Sequence, residues 1–130
     1  MRSCRAGHNG TAPRAALAYY EAWTSKDLDS AMSYIADGMV CDAPAGRIDG
    51  AVAYGEFVAP FVQILLNVKL IAAFGDEKTA VVVYDTATIP VPNAPAAECV
   101  TVEDGKITCS RFIFDRAPFQ AARQQPPASA

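Results

Sequence analysis

Two acidic residues stand within apolar stretches of the sequence and are the first candidates for chemistry. Asp85 follows the run Val-Val-Val-Tyr at residues 81–84, and Glu98 follows Ala-Ala at residues 96–97. A carboxylate that loses its hydration on folding must find a partner or keep its proton at neutral pH. Groups in that state serve as general acids and bases, so we expect Asp85 and Glu98 to exchange protons with a bound ligand.

A structural role is the alternative for each of these carboxylates. Asp85 could accept a hydrogen bond from a loop amide, or it could pair with Lys69 or Arg111. Glu98 could lie at a solvated end of its strand. In these cases the carboxylates would support the fold or face water, and they would take no part in a reaction.

Other kinds of reactive site have little support in the sequence. The one histidine, His8, lies in a polar N-terminal segment, so a Ser-His-Asp or Cys-His site would lack a positioned base. The four cysteines contain no Cys-x-x-Cys pair, and the sequence has no glycine-rich loop for a phosphate or a dinucleotide. We therefore expect no metal, no cofactor and a structural rather than nucleophilic thiol at Cys41.

Length and charge limit the class of protein. The chain has 130 residues, of which 52% are hydrophobic, and this is enough for one domain with its own core. A formal net charge of -3 offers no positive field for nucleic acid, and no stretch approaches the roughly 20 apolar residues that span a bilayer. Because no apolar run follows Arg2 and Arg5, as it would in a secretory signal, we expect a cytoplasmic protein with neither nucleic-acid nor membrane partners.

Helical spacing dominates the first part of the chain. A first helix is indicated by apolar residues along one face, namely Ala16, Tyr19, Tyr20 and Trp23. Asp27 can cap a second helix, and Gly38 can stop it. That helix repeats the same spacing at Leu28, Ala31, Met32 and Ile35.

A strand, a turn and a third helix come next. The strand is expected over residues 39–43, the turn over residues 44–46 and the helix over residues 51–66. Proline cannot donate to the helical hydrogen-bond ladder, so Pro60 predicts a kink or a break near Ala59.

The second half of the chain is rich in β-branched and aromatic residues and predicts four strands. An antiparallel meander is expected over residues 68–74, 79–89, 96–103 and 106–114. Helices first and strands last are typical of an α+β domain, which we place at residues 13–117 between disordered tails at residues 1–12 and 118–130. Because the strands are apolar at nearly every position, we expect a homodimer to form through the sheet and cover its second face.

The last hairpin predicts which side chains share a face. A three-residue loop at residues 103–105, with Gly105 left-handed, would pair Val102 with Lys106 and Glu98 with Ser110. The residues then expected on one face are Glu98, Val100, Ser110, Phe112 and Phe114. On the other face Cys99 would lie opposite Cys109, where a cross-strand disulfide would be strained.

Four short motifs follow one another in an order typical of one family. They are Trp-x-x-x-Asp at residues 23–27, Ala-Asp-Gly at residues 36–38, Pro-x-Gly-x-x-x-Gly at residues 44–50, and an Asp-Gly-Lys-Ile hairpin that runs on to Phe114-Asp115. Over residues 14–116 the chain resembles the SnoaL-like branch of the nuclear transport factor 2 superfamily, which includes ketosteroid isomerases, polyketide cyclases and limonene epoxide hydrolases. The resemblance implies a cone-shaped, cystatin-like roll: a strongly bent, mostly antiparallel sheet wrapped by three N-terminal helices, with an apolar pocket at the wide end.

The resemblance to the ketosteroid isomerases assigns roles at three positions. Tyr19 aligns with a tyrosine that donates a hydrogen bond to the developing oxyanion, and Glu98 aligns with their second acid. Ala43 stands in place of their proton-shuttling aspartate. Asp42, one residue earlier, should face the other side of its strand unless a bulge re-aims it.

The resemblance to the epoxide hydrolases and cyclases is also incomplete. Phe112 occupies the position of their acid or base on the last strand. The epoxide-hydrolase arginine and aspartate of the middle strand align with Asp85 and Ala87. No known set of catalytic residues is therefore complete in this sequence.

These observations predict a SnoaL-like domain that binds a small, mostly apolar molecule. We expect an isomerase or cyclase that works by proton transfer, with Tyr19, Asp85 and Glu98 as the catalytic set. A non-catalytic dimeric binding or accessory protein is the alternative, because Ala43 and Phe112 stand where relatives keep their bases. The remaining residues expected to line the pocket, for several of which a core role is the alternative, are Trp23, Cys41, Ala43, Phe57, Phe61, Val100, Ser110 and Phe112.

Overall fold

A computed structural model of the protein describes residues 10–124. Its elements in chain order are α1 (Thr11–Thr24), α2 (Leu28–Met32), β1 (Ile35–Ala43), β2 (Gly46–Asp49), α3 (Ala51–Ile64), β3 (Leu65–Gly75), β4 (Thr79–Thr88), β5 (Ala94–Glu103), β6 (Lys106–Phe114) and α4 (Ala117–Gln124). No helix within residues 10–124 has the length and apolar character needed to cross a membrane.

Helix α1 forms where the apolar spacing predicts it, and it begins before the expected end of the N-terminal tail. Thr11 and Ala12 are already helical, and the Ala12 amide donates to the Asp76 carbonyl at 3.2 Å. This bond fixes the start of the helix to the β3–β4 turn. The tail expected over residues 1–9 lies outside the described residues.

The second helix is shorter than predicted. Asp27 caps it through a hydrogen bond from the Ser30 amide at 3.1 Å, but the helix ends at Met32, and Ile35 opens strand β1. Ile35 pairs with Ile107 of β6, and Gly38 lies within the strand rather than stopping a helix. The helical spacing of Ile35 was misleading because a strand that enters the core buries an isoleucine equally well.

Strand β1 turns back into a short strand that the sequence did not predict. Strand β2 spans Gly46–Asp49 and pairs with β1 in antiparallel register. Helix α3 then continues through Pro60 to Ile64, which rules out a break but not the kink that was the other predicted outcome, and β3 begins at Leu65. The proline cannot donate a backbone hydrogen bond, but the chain is helical on both sides of it.

The sheet has six strands in the order β2-β1-β6-β5-β4-β3. Strands β3 to β6 form the predicted antiparallel meander, and β1 joins β6 in parallel. Helix α1 packs across β3 to β6, and α3 packs against β1 and β2. This bent sheet with its covering helices confirms the predicted α+β cone.

The hairpin between β5 and β6 differs from the prediction. Its loop has two residues, Asp104 and Gly105, with φ of 53° and 77°, which is the left-handed geometry of a tight hairpin turn. Glu103 therefore pairs with Lys106, and an irregularity follows at Thr101 and Val102.

This register changes the partners of Glu98 and of the cysteines. Glu98 pairs with Phe112 rather than Ser110, and Ser110 pairs with Val100. The residues predicted to share a face still do so. The turn and the bulge together shift the pairing by two residues, and side chains two residues apart on a strand lie on the same face. Cys99 lies opposite Arg111 rather than Cys109, and both thiols are free.

The described residues end in a helix where the sequence predicted a tail. Helix α4 covers Ala117–Gln124, and its first turn is capped by Asp115, whose carboxylate accepts a hydrogen bond from the Ala117 amide at 3.0 Å. Phe119 packs edge-on against Phe114, with ring centroids 5.8 Å apart. The polar composition of this segment does not favour a helix by itself, and the contact between Phe119 and Phe114 explains why α4 forms. The tail expected over residues 125–130 lies outside the described residues.

Candidate functional site

A cavity of about 380 Å³ opens between the helices and the inner face of the sheet. This volume lies within the range of small-molecule sites in proteins. Its wall is largely apolar and aromatic, and it comes from α1, α3, the inner faces of β4 to β6 and α4. The lining residues are Tyr19, Trp23, Ala45, Tyr54, Phe57, Val58, Pro60, Phe61, Ile64, Tyr84, Thr86, Ala94, Ala96, Glu98, Phe112, Phe114, Arg116, Phe119 and Arg123.

Glu98 is the buried carboxyl group of this cavity. It lies on β5 with 7% of its surface exposed, and the Tyr84 hydroxyl donates to its Oε2 at 2.5 Å. Burial raises the pKa of Glu98 from 4.5 to about 7, and the hydrogen bond from Tyr84 opposes that shift. The group is thus divided between its acid and carboxylate forms near neutral pH, as a general acid or base should be.

The second oxygen of Glu98 is available to a ligand. Within residues 10–124, Oε1 has no hydrogen-bond partner, and it is not among the fully enclosed polar atoms that lack one. Because Glu98 lines the cavity, this oxygen can exchange a proton with a bound molecule.

A pair of tyrosines forms the second polar feature of the cavity. The hydroxyls of Tyr19 on α1 and Tyr54 on α3 lie 2.6 Å apart, and both side chains are 3% exposed. Burial raises the pKa of Tyr19 well above its ordinary value, and the nearby charge of Glu98 raises it further. Burial also raises the pKa of Tyr54, and the charges of Tyr19 and then Glu98 add to this rise. Both phenols therefore keep their protons at neutral pH. Two hydroxyl protons and one mutual hydrogen bond leave one O–H free to donate to a ligand oxygen.

Tyr84 is held in place by aromatic packing. Its ring lies 5.3 Å from Trp23 and 5.5 Å from Tyr20, measured between centroids, and it is 1% exposed. Burial, followed by the charge of Glu98, raises the pKa of Tyr84 well above its ordinary value. The proton of the shared hydrogen bond therefore stays on Tyr84, which acts as a fixed donor to the carboxylate.

Asp85 was expected to share the cavity with Glu98, but it does not line it. Side chains alternate along a strand, so Asp85 points to the face opposite Tyr84 and Thr86, both of which line the cavity. No ion pair within 4.0 Å joins it to Lys69 or Arg111 among the described residues. The sequence could not decide this parity because both faces of β4 are apolar.

Four predicted lining residues lie away from the cavity wall. Cys41, Val100 and Ser110 are buried behind it, with exposures of 0%, 2% and 5%, and Ala43 is half-buried at the end of β1. Burial, and then Glu98, raises the pKa of the Cys41 thiol to about 11, so the thiol stays protonated. Trp23, Phe57, Phe61 and Phe112 do line the cavity, together with Tyr19 and Glu98.

Asp42 faces away from the cavity, as strand parity predicts. Its side chain is 54% exposed and lies 3.8 Å from Arg111 on the neighbouring strand. The irregular pairing of β1 with β6 falls between Ile35 and Val40, and residues 40–42 pair regularly. No bulge therefore turns Asp42 inward.

Sequence reasoning missed three parts of the site. Tyr54 shares a helical face with Phe57 and Phe61, so its spacing could have indicated it. Tyr84 belongs to the apolar run at residues 81–84. Only the strand register shows that its side chain, and not that of Asp85, faces the cavity. The residues from the α4 region had no signal in a segment with the composition of a tail; they are Arg116, Phe119 and Arg123.

Metal ligands do not gather in the part of the chain that the structure describes. Residues 10–124 contain no group of three or more His, Cys, Asp or Glu side chains that could hold an ion. Glu98 is accompanied by phenols, which keep their protons, rather than by further carboxylates or thiolates.

Comparisons with known proteins find the same fold in other chains. A solved structure from Kribbella flavida DSM 17836 is 57% identical, with a TM-score of 0.85, over 87% of this chain and 93% of that chain. The same fold occurs in an LEH-like epoxide hydrolase of M. tuberculosis, at 20% identity and a TM-score of 0.69, over 86% of this chain and 88% of that chain. It also occurs in TerC, co-crystallized with polyporic acid, at 20% identity and a TM-score of 0.67, over 86% of this chain and 97% of that chain.

The family follows from a direct sequence match. No protein with curated annotation matches the chain. The profile of the SnoaL-like domain, however, matches residues 16–110, most of the segment over which the motifs indicated the resemblance. The chain therefore belongs to the SnoaL-like domain family.

Proposed function

We propose that the cavity binds a small, mostly apolar ketone and that Glu98 moves a proton within it, as in an isomerase or a cyclase. The observation that carries this proposal is the buried Glu98 carboxyl with a pKa of about 7, held by Tyr84 and facing an apolar cavity. A general base of that pKa is matched to work at neutral pH.

Each step assigns a role to one group. The Glu98 carboxylate takes a proton from the carbon next to the ketone, the C–H bond breaks, and its electrons move to the carbonyl oxygen. The free O–H of the Tyr19–Tyr54 pair donates to the enolate oxygen that forms. Protonated Glu98 then returns the proton to the same carbon or to a conjugated one, which completes an exchange or an isomerisation.

Cyclisation would use the same enolate. Its carbon attacks a second carbonyl of the same ligand, a C–C bond forms, and the new alkoxide takes the proton from Glu98. Both outcomes balance without an added oxidant or reductant. The ring-lined wall would hold a planar, apolar ligand while excluding water from the enolate.

The test is hydrogen–deuterium exchange into a ketone. β-Tetralone in deuterated buffer should lose its α-proton NMR signals faster with the protein than without it. Glu98→Gln keeps the shape of the side chain and removes the base, so it should lower the exchange rate by about a hundredfold or more. Glu103→Gln changes an exposed glutamate at the end of the same strand and is the matched control.

An exchange rate that is equal in the native protein and in Glu98→Gln would contradict the proposal. Retained binding of β-tetralone without any exchange would favour the second candidate, a non-catalytic binding or accessory protein. One observation favours that candidate. Phe112 and Ala43 stand at the two positions where relatives keep their bases, and neither side chain can act as a base; Phe112 lines the cavity and Ala43 does not.

We also propose that the protein is a homodimer through the sheet and resides in the cytoplasm. Support for the dimer comes from large apolar side chains exposed on or beside the sheet: Leu66, Leu70, Ile71, Phe74 and Ile113. Support for a reducing compartment comes from the free thiols at Cys41, Cys99 and Cys109. Sedimentation at several concentrations tests the dimer, and Ile113→Lys should shift the mass to that of a monomer.

A further inference from the structure

Two arginines line the cavity, and the proposed proton transfer does not use them. Arg116 directly precedes α4, and its carbonyl accepts a helical hydrogen bond from the Gln120 amide at 2.9 Å. Arg123 lies in the last turn of α4. Positions 116, 119 and 123 follow helical i, i+3, i+7 spacing, so Arg116, Phe119 and Arg123 share the face that meets the cavity.

The two guanidinium groups have no acidic partner in the described part of the chain. The ion pairs within 4.0 Å among residues 10–124 are Arg47 with Asp49 and Arg111 with Asp42. Arg116 and Arg123 are exposed, whereas Glu98 is 7% exposed. The positive charges therefore lie at the rim of the cavity, and the group that carries a proton lies at its depth.

The rim between the arginines is aromatic. Phe119 packs edge-on against Phe114, and Phe114 lies 5.0 Å from Phe112, measured between ring centroids. Guanidinium groups bind carboxylates through paired, charge-assisted hydrogen bonds, and aromatic rings bind the flat body of a ligand. The rim thus combines guanidinium groups that can bind an anion with aromatic side chains that can pack against a ring.

We propose that the ligand is an organic acid with a ring-containing body, whose carboxylate is held at the rim by Arg116 and Arg123 while its ketone reaches Glu98. This inference rests on the proposed function and names its substrate class. The opposite orientation is disfavoured, because a carboxylate at the depth would meet an apolar wall and the partly charged Glu98. The rim arginines also fix which end of the ligand enters first.

Two probes of equal shape test the inference. β-Naphthoate carries a carboxylate, and β-naphthamide is its uncharged counterpart with the same rings. Calorimetry at low salt should show β-naphthoate bound about three- to tenfold more tightly, the range expected of exposed charge pairs. The difference should shrink as salt is added. In the double variant Arg116→Gln/Arg123→Gln the difference should vanish while the affinity for β-naphthamide stays the same.

The control is Arg111→Gln, which changes the net charge by one unit on the outer face of the sheet. Its side chain is 68% exposed and lies next to Asp42, away from the cavity. It should keep the preference for β-naphthoate. Equal affinities for the two probes in the native protein, a preference that survives the double variant, or failure of both probes to bind would each overturn the inference.

Repeating the measurement in Glu98→Gln separates this inference from the proposed function. A preference for β-naphthoate in that variant, with no β-tetralone exchange even in the native protein, would support an acid-binding site and contradict proton transfer. Exchange of β-tetralone without any preference between the naphthyl probes would contradict the acid class and leave proton transfer standing.

Discussion

The Tyr84 hydroxyl donates a hydrogen bond to Glu98 Oε2 at 2.5 Å, from one buried side chain to another on neighbouring strands. The sheet register places Val82 directly opposite Glu98, so Tyr84 reaches the carboxylate diagonally, from two residues along the same face. This contact holds the carboxylate in an apolar cavity and limits the rise of its pKa, which is the balance that a proton-transfer group needs.

The stability of the protein should fall as the pH rises from about 4.5 to about 7. The pKa of Glu98 is raised to about 7 in the folded protein, against 4.5 as its ordinary value, so the folded state binds the extra proton in this window. This contribution to the free energy of unfolding is fully present below pH 4.5 and is lost by about pH 7. It amounts to about 3 kcal/mol.

Urea denaturation at a series of pH values measures this dependence. In Glu98→Gln the contribution is absent, so the slope between these pH values should be flatter than in the native protein. Glu103→Gln should keep the native slope. A native protein whose stability is the same at both ends of the window, or rises across it, would contradict the assignment.

Tyr84→Phe should raise the pKa of Glu98 further. The variant removes the hydrogen bond that favours the carboxylate and leaves burial unopposed. Carbon-13 NMR of the labelled glutamate carboxyl measures the titration directly. The pH at which β-tetralone exchange reaches half its maximum should shift upward with it.

Tyr20→Phe is the matched control for that variant. Tyr20 packs against Tyr84 at 5.5 Å between ring centroids and makes no hydrogen bond to Glu98. It should leave the Glu98 titration unchanged. An unchanged or lower pKa in Tyr84→Phe would show that the hydrogen bond does not stabilise the charged form.

The phenols of Tyr19 and Tyr54 should substitute for each other. Either hydroxyl alone still has a proton to donate to an enolate oxygen, so each single Phe variant should lower the exchange rate less than about tenfold. The double Phe variant removes the donor and should lower it by about a hundredfold. Rates of β-tetralone exchange in the four proteins measure this, and additive losses would speak against a shared role.

Asp85→Asn should leave the exchange rate within about twofold of the native value. The side chain lies on the opposite face of β4 from the cavity, so it can neither donate to a ligand nor alter the field at Glu98 strongly. NMR exchange measured beside Glu98→Gln gives the contrast. A large loss in Asp85→Asn would return that residue to the catalytic set and contradict the register of β4.

Local sequence patterns predict much of the fold. The sequence predicts helix α1, the four strands of the meander and the motifs of the SnoaL-like family, because spacing and turn residues act over short distances. Ile35 shows the limit of such patterns. Its helical spacing was overruled by pairing with Ile107, a residue 72 positions away in the chain.

The sequence by itself determined that Glu98 is a carboxyl group in apolar surroundings and that Tyr19 lies on the buried face of a helix. Only the tertiary structure placed Glu98, and not Asp85, at the cavity, because the face on which a strand residue lies depends on register when both faces are apolar. It also brought Tyr54 to Tyr19 and folded α4 over the rim. These contacts join residues far apart in the chain, and no local pattern encodes them.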